Sequence, residues 1–98
     1  MELTLTDDPE RSRFEIHRGD QLAGVVEYRL DDDEITLLHT EIGREFGGQG
    51  VAGTLVRGVL DVARCRALTV VPECDYVRNW ISKHPGYADV VTAVQRRR

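Results

Sequence analysis

Apolar and polar positions alternate along the first half of the chain and recur every three or four residues along the second. Leu3-Thr4-Leu5 alternates until Asp7-Asp8-Pro9-Glu10 breaks it, and Phe14-Glu15-Ile16-His17 alternates again up to the turn signal Arg18-Gly19-Asp20. Leu22 to Leu30 reads as a third strand, with Val26, Tyr28 and Leu30 on one face by the two-residue period, and Asp31-Asp32-Asp33 as the next turn. Glu34 to Ile42 reads as a fourth, with Ile35, Leu37, His39 and Glu41 on one face and Thr36, Leu38, Thr40 and Ile42 on the other. Four strands on short connections predict an antiparallel meander.

The period then changes. Val51, Leu55, Val59 and Ala63, flanked by Ala52, Val56, Leu60 and Val62, have helical spacing, with Arg57, Asp61 and Arg64 on the outer face and Arg57–Asp61 as an i,i+4 pair. Leu68-Thr69-Val70-Val71 reads as a fifth strand stopped by Pro72, and Tyr76 to His84 as a short helix closed by Pro85-Gly86. No repeat or linker interrupts the pattern. It predicts one α/β (α+β) domain over residues 1–98.

Composition narrows the class. A chain of 98 residues with 41% hydrophobic and 31% charged residues is long enough for one core and too apolar for a disordered segment. Its net charge of -4 argues against a nucleic-acid module, which carries a basic stripe. No apolar run approaches the ~18 residues of a membrane span, and the amino terminus lacks signal-peptide regions, so a cytoplasmic location is expected. The Arg96-Arg97-Arg98 run reads as a solvated end. Cys65 and Cys74 are not spaced as a metal motif, and the histidines are scattered, so no metal site is expected. A strand between the two cysteines would separate them by roughly 20 Å, beyond disulfide reach, so both are expected as free thiols.

The stretch most informative about function is Glu45-Phe46-Gly47-Gly48-Gln49-Gly50-Val51-Ala52-Gly53, between the fourth strand and the long helix. Glycines there let the backbone approach a ligand, and helix-start N–H groups would face an anion. Gly48-x-Gly50-x-x-Gly53 matches the dinucleotide fingerprint in letters, but that motif belongs to a parallel βαβ unit and four meander strands precede this one. Gly48 to Thr54 is also a partial match to a P-loop, without its lysine.

In its order of elements and four sequence blocks, the chain resembles the GNAT superfamily of CoA-dependent N-acetyltransferases, in particular its small, minimal branch. The blocks are His39-Thr40-Glu41, the Glu45–Gly53 loop, Val70-Val71-Pro72-x-Cys74 and His84-Pro85-x-Tyr87. The family loop reads Gln/Arg-x-x-Gly-x-Gly/Ala; Gly47-x-x-Gly50-x-Ala52 aligns with it, with Gly47 at the basic position. The resemblance implies that the fifth strand runs parallel to the fourth and splays from it, with the pantetheine arm of acetyl-CoA in the gap. It implies Ile42 against that arm, and the amides around Gly47, Gly48, Gln49, Gly50, Ala52 and Gly53 on the pyrophosphate. Arg44 becomes a candidate phosphate partner. The implied partners are acetyl-CoA and an amine acceptor whose identity the sequence leaves open.

Acetyl transfer to an amine needs a neutral amine, an oxyanion stabiliser and a proton for the departing thiolate. Trp80 and Ile81 occupy the region where many family members carry a tyrosine, which directs attention to Cys74 as a nucleophile or as a small residue at a strand end. Glu73 and Asp75 would raise its pKa and the following helix start would lower it. His39 is a candidate base, with Glu41 to orient it, or a hydrogen-bonded core histidine. Cys65 is expected to pack structurally. Acids such as Glu41, Glu73 and Asp75 would suit a cationic amine. The alternative to an acetyltransferase is a CoA-binding regulatory or protein-interaction module with weak or no catalysis.

Overall fold

A computed structural model describes residues 2–91; Met1 and residues 92–98, including the Arg96-Arg97-Arg98 run, lie outside the described residues. Strands β1 (Leu3–Asp8), β2 (Arg13–Arg18), β3 (Gln21–Asp31) and β4 (Glu34–Ile42) form the expected antiparallel meander, and β5 (Thr69–Pro72) adds parallel to β4. Helix α1 (Val51–Cys65) connects β4 to β5, and α2 (Asp75–Ser82) follows β5. No helix among the described residues is long and apolar enough to cross a membrane.

Both helices cover one face of the sheet. Val51, Leu55, Val56, Val59, Leu60 and Ala63 of α1 are buried among Phe14, Ile16, Val26, Leu37 and Val70 of the strands, because the helical and strand periods each give one continuous apolar surface. A Schellman pair, Ala67 N–H to Arg64 C=O and Leu68 N–H to Ala63 C=O, finishes the carboxyl end of α1 and turns the chain into β5. Among the described residues the other sheet face carries no helix. It shows Arg13, Glu15, His17, Glu27 and His39, tied by contacts such as Arg13–Glu15 at 2.9 Å.

Leu30 keeps its predicted face but is 50% exposed, although its pairing partner Ile35 is buried in the core. Two side-chain expectations change. Cys65 is exposed at the last position of α1 rather than packed, and both cysteines are free. The Arg57–Asp61 pair is replaced: Arg57 lies 5.6 Å over the Trp80 ring, and Asp61 accepts from the Tyr87 hydroxyl at 2.9 Å. Pro85–Val91 forms a 3-10 segment that the Pro-Gly stop signal did not predict. Trp80, stacked on His84 at 3.8 Å and edge-on to Tyr87 at 5.2 Å, packs it down.

Candidate active site

The site begins where two strands part. β4 and β5 pair only from Glu34↔Thr69 to Leu37↔Pro72. The amides of Glu73 and Cys74 then both donate to Leu37 C=O, at 3.0 and 3.1 Å, and the chain turns away into α2. β4 runs on to Ile42 beside β3 alone. Among the described residues no strand pairs with its second edge past Leu37, so main-chain groups on that edge are available to an extended ligand.

At the parting point β4 also contains a bulge. Tyr28 pairs with Leu37 and Glu27 with His39, so Leu38 is an extra residue. An extra residue exchanges the faces of everything after it. His39 and Glu41 therefore leave the face of Ile35 and Leu37, contrary to the uniform alternation expected, and project from the helix-free face. There His39 Nε2 stands 3.8 Å from Glu41 Oε1, with both side chains more than half exposed. Thr40 and Ile42 take the helix-side positions instead, in line with Val26 and Gly24. The structure therefore brings Thr40, and not His39, to Cys74.

Cys74 is buried at the N-cap of α2. Its thiol donates to Thr40 Oγ1 at 3.4 Å; once ionised, the sulfur accepts from that hydroxyl instead. Burial pushes the thiol pKa up, but the Thr40 hydroxyl and the amides of Val77, Tyr76 and Thr40 together outweigh burial and hold it below its usual value of 9.0. The expected opposition of Glu73 and Asp75 does not decide the balance. Both side chains are exposed, and Asp75 is engaged by Arg78.

The glycine loop closes the other end of the gap. A 3-10 turn, Arg44–Phe46, buries Phe46 and anchors the loop. Gly48 and Gly50 both have φ +77° with nothing within 4 Å of a would-be Cβ, so conformation and not crowding requires glycine there. Gly50 caps α1 with no side-chain hydrogen bond, which leaves the first helical amides to an outside acceptor. Ile42, Phe46, Gly47, Gly48, Gly50, Val51, Ala52, Gly53 and Tyr76 line one cleft of about 270 Å³.

Six of the candidate cofactor-binding residues, Ile42, Gly47, Gly48, Gly50, Ala52 and Gly53, thus meet in a single cleft. The Gln49 side chain works beside it. Its Nε2 donates to Glu45 C=O at 3.0 Å, and its Oε1 accepts from Arg18. Arg44 lines a different cavity, of about 450 Å³, with Arg13, Leu22, Val25, Glu41 and Ile42. Register places Arg13, Val25 and Glu41 on the helix-free face, so the two cavities share Ile42 and flank the free end of β4 from opposite sides.

Sequence reasoning passed over Thr40, Tyr76 and Arg18. Tyr76 had a findable signal, since the first turn of a helix beginning at a candidate cysteine shares its cleft. Thr40 was hidden by the bulge. Arg18 is brought to the loop from 31 residues away by tertiary structure alone. Among the described residues no cluster of His, Cys, Asp or Glu could hold a metal ion.

Comparison with known proteins bears on this geometry. The sequence model of a family described as GCN5-related N-acetyl-transferase matches residues 13–90. No curated protein matches the chain. Among solved structures, the chain is similar to a GCN5-like protein of Staphylococcus aureus provisionally assigned as an N-acetyltransferase. The TM-score is 0.69 and the identity 29%, over 90% of this chain and 86% of that one. It is similar in fold to the ribosomal-protein-S18-alanine N-acetyltransferase of Escherichia coli (TM-score 0.58, 20% identity, 65% of this chain). Ard1 of Thermoplasma volcanium gives a TM-score of 0.54 at 20% identity, over 65% of this chain. The chain spans 43% and 44% of the lengths of those two proteins.

Proposed function

The chain belongs to the GCN5-related N-acetyltransferase family, and from that premise we propose that it binds acetyl-CoA in the gap between β4 and β5 and transfers the acetyl group to an amine. The observation that carries this reading is the continuity of one cleft, from uncapped helix amides and two left-handed glycines, past Ile42, to Tyr76 in the first turn of the helix that Cys74 caps. An anion suits the glycine end and an extended arm suits the free edge of β4. Acetyl-CoA supplies a thioester, an acyl carbon already activated toward nucleophiles.

Cys74 is the group we assign to receive the acetyl. Thr40 and the α2 amides favour its thiolate. The thiolate attacks the thioester carbonyl; the new S–C bond forms as the bond to the CoA sulfur breaks, and the Cys74 proton ends on that sulfur. The acceptor amine then displaces Cys74, approaching from the helix-free face, where the exposed His39–Glu41 pair takes its proton. The bulge at Leu38 sets Cys74's partner Thr40 and His39 on opposite faces, and in this reading each face serves one substrate. The alternative, a CoA-binding interaction module, draws on Gly47, which removes a side chain from the pyrophosphate loop.

Two measurements test this. Calorimetry with acetyl-CoA should show saturable binding; no heat would remove both readings. Acetyl-CoA without acceptor should then add a single acetyl mass to Cys74, and Cys74→Ala should lose the label while keeping its affinity. Wild-type turnover of an amine by Cys74→Ala would mean direct transfer. No turnover with any amine would favour the interaction module.

A further inference from the structure

The larger cavity, of about 450 Å³, lies beside the cleft assigned to acetyl-CoA and shares only Ile42 with it. A second bulge builds its floor. His17 pairs with Leu22 and Ile16 with Gly24, so Ala23 is an extra residue in β3. It moves Leu22 off the face of Gly24 and Val26 and onto the helix-free face beside His17, where Leu22 is 44% exposed. Val25, in register with Glu41, lies on the same face. The Gly43 amide donates to Ala23 C=O at 2.8 Å, which ties the end of β4 to the bulge. Leu22, Val25 and Ile42 thus give the cavity an apolar part among charged side chains.

Arg13, Glu41 and Arg44 supply its charges. Arg13 is already paired, with its Nε and Nη2 each 2.9 Å from Glu15 Oε2. Glu41 stands 3.8 Å from His39. Arg44 differs. It begins the 3-10 turn that Phe46 anchors, it is exposed, and among the described residues its guanidinium has no hydrogen bond or ion pair. One free guanidinium fork matches one carboxylate. The Glu41 carboxylate matches an ammonium, and Leu22, Val25 and Ile42 match an apolar side chain.

We propose that this cavity holds the acceptor and that the acceptor is an α-amino acid with an apolar side chain, its carboxylate on Arg44 and its amine at Glu41. The inference rests on the acetyltransferase reading above and names its substrate class. Arg13, Val25 and Glu41 place the cavity on the helix-free face from which the amine approaches. The ammonium gives up two protons. One leaves through the His39–Glu41 pair to water, and the other returns to Cys74 as the acetyl carbon passes from its sulfur to the nitrogen. Arg44 touches only the carboxylate, so it sets which amines are accepted.

The test compares kcat/KM for L-leucine and for 3-methylbutylamine, the same amine without the carboxylate, at saturating acetyl-CoA. The wild type should prefer leucine, Arg44→Gln should reduce that preference about tenfold or more, and Arg44→Lys should recover part of it. Arg44 is exposed, so both variants should fold; thermal melting checks it. Equal turnover of the two amines by the wild type would overturn the carboxylate site and leave the acetyltransferase reading standing. A higher KM for acetyl-CoA in Arg44→Gln, with the amine preference unchanged, would return Arg44 to the cofactor and overturn the proposal. Leucine alone reads the cavity without the cofactor. Saturable amide shifts are expected at Val25, Gly43 and Arg44, and their absence would overturn the proposal whatever acetyl-CoA does. No calorimetric heat with acetyl-CoA would instead overturn the acetyltransferase reading and the acceptor role with it.

Discussion

The two halves of β4 are built for different tasks. From Glu34 to Leu37 the strand has a partner on each side, its period is regular, and Ile35, Thr36 and Leu37 are all buried. From Leu38 to Ile42 it has one partner, a bulge, and no fully buried side chain. Helix α1 repeats the division. Its carboxyl end is closed by a Schellman pair, and its amino end has a left-handed glycine and no side-chain cap. Satisfied main chain holds the fold, and unsatisfied main chain faces the cleft. The incomplete halves lie side by side, because the glycine loop is the short connection from the end of β4 to the start of α1.

Substitutions should respect that division. Leu37→Ala, in the doubly paired half, removes a side chain with no exposed surface and should cost about 2–5 kcal/mol of stability, read by chemical denaturation. A loss below about 1 kcal/mol would mean that the paired half is not the anchor. Gly50→Val, at the open end of α1, should weaken acetyl-CoA binding by about 100-fold. A branched side chain at φ +77° is strained by about 1–3 kcal/mol and crowds the bound anion. Unchanged affinity in a folded Gly50→Val protein would remove the loop from the site.

The paired half can also be probed by pH. Tyr28, paired with Leu37, has its pKa pushed up to about 12 by burial and by its 2.8 Å hydrogen bond to Asp7. Unfolded tyrosine titrates near 10, so between about pH 10 and 12 the unfolded chain has lost a proton that the folded one keeps. Stability from this group is complete below pH 10 and falls as pH rises, by up to roughly 2–3 kcal/mol at about 1.36 kcal/mol per pKa unit. Tyr28→Phe should flatten the decline; an equal slope in both proteins would contradict the assignment. The smallest expected effect lies in the open half. Thr40→Val should scarcely move the melting temperature but should raise the pH at which Cys74 reacts with iodoacetamide, because the Thr40 hydroxyl helps hold the thiolate. An unmoved alkylation profile would leave the amides of Val77, Tyr76 and Thr40 as its support and contradict a role for the hydroxyl.

Regular segments were legible in the sequence because their chemistry is periodic. All five strands and both helices appear where alternation or helical spacing predicted them, and the glycine loop announced its own backbone. The bulge at Leu38 did not. Adjacent Leu37 and Leu38 fit either register, and a single inserted residue carries no composition signal, yet it decides which faces His39 and Thr40 occupy. The contact of Arg18 with Gln49 was illegible for a different reason: it depends on where β2 ends relative to a loop formed much later in the chain. Period reads the satisfied main chain well and the unsatisfied main chain poorly, since ligand contacts need no repeat.

Amide chemical shifts during an acetyl-CoA titration report on both halves of β4 in one sample. If acetyl-CoA enters the gap, saturable shifts should appear at Leu38 to Ile42, at Gly47 to Gly53 and at Cys74 to Val77, with Glu34 to Leu37 nearly still. Shifts confined to the helix-free face around Arg13, Val25 and Glu27, or no shifts at saturating acetyl-CoA, would contradict it.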